Sequence, residues 1–129
     1  MLRKRDMDQR IHELLLRNLQ EVFGEGNADR RRAAIKEIYQ KDAVFYDPNY
    51  GIYHGHEEID RIAGELRAHH PDFRYQPISE PEISGNCGRV RWVSGRPGEM
   101  PAYAGTDFII VQDGKIAALY LFFDKLPLS

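Results

Sequence analysis

The fold is decided by the stretch AGTDFIIVQDGKIAALYLFFD, residues 104–124. Two runs of β-branched and aromatic residues flank the pair Asp113-Gly114. An Asp-Gly pair tolerates the positive φ angles of a tight turn, and strand-like runs on both sides of it are typical of a β-hairpin. The stretch therefore predicts a long antiparallel hairpin in the last quarter of the chain.

Asp107 interrupts the first apolar run of that hairpin. A carboxylate inside a buried strand needs a partner, a proton or a cavity with water, because an unpaired buried charge is costly. Arg91, on the neighbouring predicted strand, is the candidate for a purely structural partner. The other interpretation is a chemical role, and Asp107 is the first candidate catalytic residue.

Composition indicates an ordinary globular protein that forms one domain over residues 1–129. The chain is 42% hydrophobic and 29% charged, with a formal net charge of −2. This charge favours neither nucleic acid nor an anionic membrane as a partner. No apolar run approaches the roughly 20 residues of a membrane-spanning helix, and the basic start at residues 1–6 lacks the apolar segment of a signal peptide. The single cysteine, Cys87, cannot form an internal disulfide, so we expect a reducing, cytoplasmic setting.

The order of the predicted elements indicates an α+β fold. Apolar residues at helical spacing predict helices over residues 7–23 and 28–40, and a third helix that begins at Gly55 and ends near His70. Short strands are predicted over residues 43–47, 52–54, 73–78 and 89–94, ahead of the C-terminal hairpin. Helices that come early and strands that come late are not the pattern of a parallel α/β sheet.

An ordered set of short segments carries a family resemblance. These are DAVFYDP at 42–48, YHGHEEI at 53–59, DGKI at 113–116 and Phe123-Asp124. In this order they resemble the NTF2-like superfamily, and within it the SnoaL-like branch of polyketide cyclases and ketosteroid isomerases. The resemblance implies a cone in which three N-terminal helices pack against a strongly curved antiparallel sheet. It also implies an apolar pocket for a small hydrophobic molecule, and a homodimer formed through the outer face of the sheet.

The resemblance assigns roles to two aspartates. Asp47 falls where ketosteroid isomerase-like proteins place a general base, and Asp107 falls where SnoaL-like cyclases place a catalytic aspartate. The alternative for Asp47 is a structural one, in which it accepts backbone hydrogen bonds in the Asp-Pro-Asn turn. If both carboxylates face one pocket, their mutual repulsion is expected to raise the pKa of one of them and to leave an acid beside a base.

Two further residues complete the predicted catalytic set. His54 could act as an acid or base near neutral pH. Tyr103 shares a strand face with Gly105 and Asp107, so its phenol could donate to a carbonyl oxygen. Ketosteroid isomerases carry such a tyrosine in the first helix, where this chain has Leu14, Leu15, Leu16, Asn18 and Leu19. The aromatic side chains predicted to line the pocket are Trp92, Tyr46, Tyr53, Tyr120 and Phe122.

No cofactor is expected, because the chain has neither a Gly-rich phosphate loop nor a metal-ligand cluster. A metal site built from His54, His56 and Asp47 is disfavoured, since the spacing around Gly55 aims the two rings apart. The predicted function is acid/base proton transfer on a hydrophobic carbonyl compound. The alternative is a non-catalytic ligand-binding or protein-interaction domain, in which arginines or backbone donors would occupy both aspartates.

Overall fold

The computed structural model describes residues 3–49 and 51–128. Met1 and Leu2, on which the signal-peptide prediction partly rests, lie outside this range. The chain forms three helices and seven strands within the described residues. The predicted α+β class, with helices packed against a curved sheet, is confirmed.

The first helix has two parts. Helix α1 (Lys4–Arg17) continues without a break into a π-helical segment (Asn18–Phe23), which buries Asn18, Leu19, Val22 and Phe23. A π-helical turn is wider than an α-helical one and is frequently found at functional sites. The predicted helix over residues 7–23 is therefore confirmed as an element, but its last six residues have a different geometry.

The other two helices begin and end near their predicted limits. Helix α2 (Ala28–Ile38) is capped by Asn27, whose side-chain oxygen accepts from the Arg30 backbone N–H at 2.9 Å. It stops two residues before the predicted end, because Tyr39 already belongs to the first strand. Helix α3 runs from Gly55 to His69.

Seven strands form a single sheet: β1 (Tyr39–Asp47), β2 (Gly51–His54), β3 (Arg74–Pro77), β4 (Glu82–Ser84), β5 (Cys87–Gly95), β6 (Tyr103–Gln112) and β7 (Lys115–Phe123). Their order is β2-β1-β7-β6-β5-β3, and β4 pairs with the first three residues of β5. Strand β4 was not predicted, because three residues are too few to show alternation. Strands β1 and β7 run parallel, so the sheet is mixed rather than purely antiparallel as predicted.

The C-terminal hairpin has the predicted turn. Strands β6 and β7 pair antiparallel, with Gln112 opposite Lys115. Asp113 and Gly114 between them both have positive φ, 50° and 75°. These are the angles that a two-residue turn matching the strand twist requires.

The helices cover one face of the sheet, which we call the inner face. Buried side chains from all layers meet there, among them Leu14, Ile38, Ile59, Ile109 and Leu119. None of the described helices combines the length and the apolar character that a bilayer span requires.

Candidate functional site

A cavity of about 320 Å³ lies between the inner face of the sheet and the helices. Most of its wall is apolar or aromatic, and includes Leu19, Phe23, Phe45, Trp92, Leu119 and Leu121. Its volume is in the range of small-molecule pockets, which are also mostly apolar with a few convergent polar groups. Two such groups are the predicted aspartates, since both Asp47 and Asp107 line this cavity.

Asp107 is held by two neutral side-chain donors. The Trp92 indole Nε1–H donates to Oδ1 at 3.0 Å, and the Asn18 amide donates to Oδ2 at 3.4 Å. The residue is only 4% exposed. The predicted pairing of Asp107 with Arg91 is therefore wrong. Arg91 lies on the outer face of the sheet and pairs with Asp124 at 3.7 Å.

Gly105 is what lets the indole reach Asp107. Trp92 on β5 lies opposite Gly105 on β6. A Cβ at position 105 would come within 2.5 Å of the indole Cζ2 atom. The ring therefore lies across a backbone position that has no side chain, and this position directs its N–H toward the carboxylate two residues further along β6.

A buried phenol completes the support of Asp107. Tyr39, the first residue of β1, donates from its hydroxyl to the Asn18 side-chain oxygen, and both residues are fully buried. This bond orients the Asn18 amide, so that its N–H groups face Asp107. Sequence reasoning did not identify Asn18 or Tyr39 as site residues. The available signal was a polar residue at position 18 within the apolar stripe of Ile11, Leu14, Leu15 and Val22.

Burial makes Asp107 a weaker acid than an ordinary aspartate. Loss of solvation raises its pKa from 3.8 to about 7, against the opposing effect of the Trp92 and Asn18 hydrogen bonds. The same burial, together with the Asp107 charge, raises the pKa of the Tyr39 phenol well above its usual value. Tyr39 therefore stays a donor, while Asp107 can take up and release a proton near neutral pH.

Asp47 lies in the same row of the inner face as Asp107. Asp107 on β6 pairs with Leu121 on β7. On the other side of β7, Tyr46 of β1 pairs with Tyr120, so the register puts the next residue, Asp47, beside Leu121. Two strand spacings of nearly 5 Å put the two backbones about 10 Å apart. Accordingly, the Asp47 charge is not among the causes that shift the pKa of Asp107, and the expected mutual repulsion is not what raises it.

Asp47 is also tied into the turn after β1. Its Oδ1 accepts from the Asn49 backbone N–H at 2.8 Å. This is the turn bond of the structural interpretation, yet the carboxylate still lines the cavity. Both interpretations of Asp47 thus describe part of its surroundings.

Five lining residues that keep part of their surface in solvent are Tyr103, Arg67, His69, His70 and Phe73, and we call this group the rim. Tyr103 is 45% exposed, and its hydroxyl lies 3.5 Å from the His70 Nε2 atom. Tyr103 and Asp107 share a strand face as predicted, but Tyr103 stands at the edge of the cavity.

His54 does not reach the cavity, contrary to the catalytic role expected for it. It is the residue before α3, its side chain is exposed, and its backbone N–H donates to Glu58 Oε1 at 2.8 Å. The His56 ring faces elsewhere, with Nε2 at 2.9 Å from the Tyr39 carbonyl oxygen. Within residues 3–49 and 51–128, no three His, Cys, Asp or Glu side chains form a cluster that could hold a metal ion.

Four of the five aromatic residues predicted to line the cavity do not line it. Trp92 lines the cavity, but Tyr46, Tyr53, Tyr120 and Phe122 do not. Tyr46, Tyr120 and Phe122 alternate with inward residues such as Asp47 and Leu121, so strand geometry places them on the outer face. There Tyr46 and Tyr120 stack with ring centroids 4.5 Å apart. Tyr53 is buried instead against Phe45, with centroids 5.8 Å apart.

Comparison with known proteins supports the same architecture. The SnoaL-like domain family matches residues 16–119. A proposed isomerase of the SnoaL-like family from Agrobacterium tumefaciens superposes with a TM-score of 0.83 at 21% identity, over 91% of this chain and 99% of that one. A proposed SnoaL-like polyketide cyclase from Jannaschia gives 0.72 at 17% identity, over 90% and 86%.

A proposed ketosteroid isomerase from Kribbella flavida gives a TM-score of 0.70 at 15% identity, over 94% of this chain and 82% of that one. No curated protein matches the sequence. Identities this low show a shared fold and do not transfer an activity. The family match spans most of the chain, and this protein therefore belongs to the SnoaL-like domain family.

Proposed function

We propose that the protein binds a hydrophobic carbonyl compound in this cavity and moves a proton on the carbon next to the carbonyl group. The observation that carries the proposal is Asp107, a carboxyl group that lines an apolar cavity with a pKa of about 7. A general acid or base works best when its pKa lies near the working pH. Asp107 would act as the base and then return the proton.

The wall of the cavity supports the substrate class. Apolar side chains surround Asp107 on β1, β7 and the π-helical segment, so burial of a hydrophobic ring system is favourable. The donors that hold Asp107 are neutral, and no arginine salt bridge to it exists among the described residues. An arginine partner would favour the charged carboxylate and make it a weaker base.

The test is exchange of the proton next to a ketone. We would follow loss of the α-proton signals of 2-tetralone in D₂O by NMR, with wild type and with Asp107→Asn. A positioned general base contributes about 10²–10⁴-fold, so we expect the protein-dependent rate to fall by at least 10²-fold in the variant. Equal rates in the two proteins would contradict a catalytic Asp107.

Thermal unfolding of both proteins with the same ketone separates binding from catalysis. A ligand present at 100 times its Kd adds about 2.7 kcal/mol of stability, which shifts Tm by several degrees. A shift in both proteins without any exchange in wild type would identify a non-catalytic binding domain. The turn bond of Asp47 to Asn49 is the observation that favours this second function.

We further propose that two copies of the chain pair through the outer face of the sheet. Phe122 is 56% exposed there, and its ring meets Phe108 edge-on at 5.5 Å. Tyr46 and Tyr120 extend this aromatic surface. Exposed aromatic clusters often mark protein interfaces. Light scattering should give a dimer for wild type and a monomer for Phe122→Glu, and a monomeric wild type would contradict the proposal.

A further inference from the structure

Tyr75 stands in the wall of the cavity beside the residue that holds Asp107. It lies on β3 opposite Ser94 of β5, and both side chains line the cavity. Its ring meets the Trp92 indole edge-on, with centroids 5.1 Å apart and an angle of 63° between the planes. One continuous wall of the cavity is therefore formed by three side chains in contact, Tyr75, Trp92 and Asp107.

The Tyr75 hydroxyl forms no hydrogen bond with the described residues. Outside the pairing of β3 with β5, the hydrogen bond found at this residue is to its backbone carbonyl, which accepts from the Gln20 side-chain amide at 3.0 Å. A phenol in an apolar setting usually has a hydrogen-bond partner, as the Tyr39 hydroxyl has in Asn18. Tyr75 thus carries a donor in the wall of the cavity for which the described residues supply no acceptor.

The electrostatic neighbours of Tyr75 are also residues of the cavity. Burial, together with the charges of Asp107 and Asp47, raises the pKa of its phenol to about 12, and the charge of Arg67 opposes this rise. All three charged residues line the cavity. The phenol therefore keeps its proton at neutral pH and can donate it in a hydrogen bond.

The proposed proton transfer needs such a donor. When the C–H bond breaks, the proton goes to the Asp107 carboxylate and the electron pair moves toward the carbonyl oxygen. The ligand becomes an enolate, with the negative charge on that oxygen. The return of the proton from Asp107 to carbon reverses both changes, so no other reactant is consumed. A donor placed at the oxygen stabilises the charge where it develops.

We propose that Tyr75, and not Tyr103, donates the hydrogen bond to the carbonyl oxygen of the ligand, from the same wall as Asp107 but two strands away from it. This inference rests on the proposed function, since it names the second group of the same site. Tyr103 stands at the rim, half exposed, with His70 beside its hydroxyl. The ligand class that follows is a compact ketone whose oxygen reaches β3 while its carbon acid faces β6.

The test compares two matched variants, Tyr75→Phe and Tyr103→Phe, each of which removes one hydroxyl group. Binding of 2-tetralone is measured against tetralin, the hydrocarbon that lacks the oxygen. In wild type and Tyr103→Phe we expect the ketone to bind about 2–10-fold more tightly than the hydrocarbon, the usual range for one neutral hydrogen bond. In Tyr75→Phe we expect that preference to disappear. The rate of α-proton exchange should fall about 10²–10³-fold in Tyr75→Phe, as on loss of one oxyanion donor.

The outcomes separate this inference from the proposed function. A ketone preference and an exchange rate that persist in Tyr75→Phe would overturn the role of Tyr75 alone, and their loss in Tyr103→Phe would assign it to the rim. If wild type binds neither compound and catalyses no exchange, the proposed function fails and the role of Tyr75 fails with it. Far-UV circular dichroism and Tm of both variants confirm that each is folded.

Discussion

Two carboxylates lie in one row of the sheet and have different surroundings. Asp47 ends β1, where the following turn offers it the Asn49 backbone N–H. Asp107 lies in the middle of β6, where the backbone N–H groups belong to the sheet, so only side chains can reach it. The position of a buried acid along its strand therefore decides whether backbone N–H groups or side chains donate hydrogen bonds to it.

The pH dependence of stability is the most sensitive test of this difference. Asp107 has a pKa of about 7 in the folded protein against an ordinary 3.8. Between these values the native state binds more protons than the unfolded state, so the free energy of unfolding falls as pH rises from about 4 to about 7 and levels off above. At about 1.4 kcal/mol per pKa unit the fall amounts to a few kcal/mol.

Asp107→Asn removes this titration and conserves the shape of the side chain. If the Asn18 amide turns over, the new amide can donate to Asn18, and Asn18 can donate to the Tyr39 hydroxyl. We therefore expect the variant to gain stability relative to wild type as pH rises from 4 to 7, measured by urea denaturation at each pH. Parallel curves for the two proteins would show that Asp107 titrates as an ordinary surface aspartate.

Gly105→Ala tests the support of Asp107 without changing any polar group. The added Cβ would lie 2.5 Å from the indole, so Trp92 must move and its hydrogen bond to Asp107 is weakened. Overpacking of this kind typically costs about 1–3 kcal/mol, read from urea denaturation. Gly26→Ala is the matched control, since a Cβ there meets nothing within 4 Å. An equal, small effect at both positions would mean that the indole position is not critical.

Asn18→Leu removes the bridge between Tyr39 and Asp107 and keeps the branching and the number of heavy atoms of the side chain. The Tyr39 hydroxyl and the Asp107 Oδ2 atom each lose a partner, which costs about 1–3 kcal/mol for each buried polar group left unpaired. The pKa of Asp107 should rise further, because the lost hydrogen bond had lowered it. NMR titration of the Asp107 side chain measures this shift. Tyr39→Phe, which keeps the Asn18–Asp107 contact, should give a smaller one.

Asp47→Asn should have the smallest effect. The amide oxygen can still accept from the Asn49 N–H, so we expect a stability change below about 1 kcal/mol. The rate of α-proton exchange of 2-tetralone should change by less than about tenfold, far less than in Asp107→Asn. A loss as large as that at Asp107 would instead make Asp47 the base, with Asp107 in a supporting role.

Much of the architecture could be read from local sequence. The turn at Asp113-Gly114, the alternation of β5 and β6, and the three helices all depend on residues close together in the chain. The π-helical geometry at Asn18 and the parallel pairing of β1 with β7 could not be read in this way. The first belongs to a segment whose residues Leu19 and Phe23 line the cavity, and the second joins segments about 75 residues apart.

The site was predicted only in part, because it too depends on contacts between segments that are distant in the chain. A carboxylate in an apolar strand is conspicuous, so Asp107 could be named from its neighbours in sequence. Tyr46, Tyr120 and Phe122 were assigned to the pocket by residue type, although alternation with Asp47 and Leu121 puts them outside. Asn18 and Tyr75 come from elements distant from β6 in sequence. Tyr75 looks ordinary there, and Asn18 shows only as a polar residue within an apolar stripe.

The sequence by itself determined the α+β class, the C-terminal hairpin and the presence of one costly acid within it, because these follow from short-range periodicity and turn chemistry. Only the tertiary structure decided what surrounds that acid. Trp92, Asn18 and Tyr39 reach Asp107 through strand register and helix packing, and the loss of water that raises its pKa comes from all these elements together. Solvation is a property of the assembled cavity, and no local stretch of the chain encodes it.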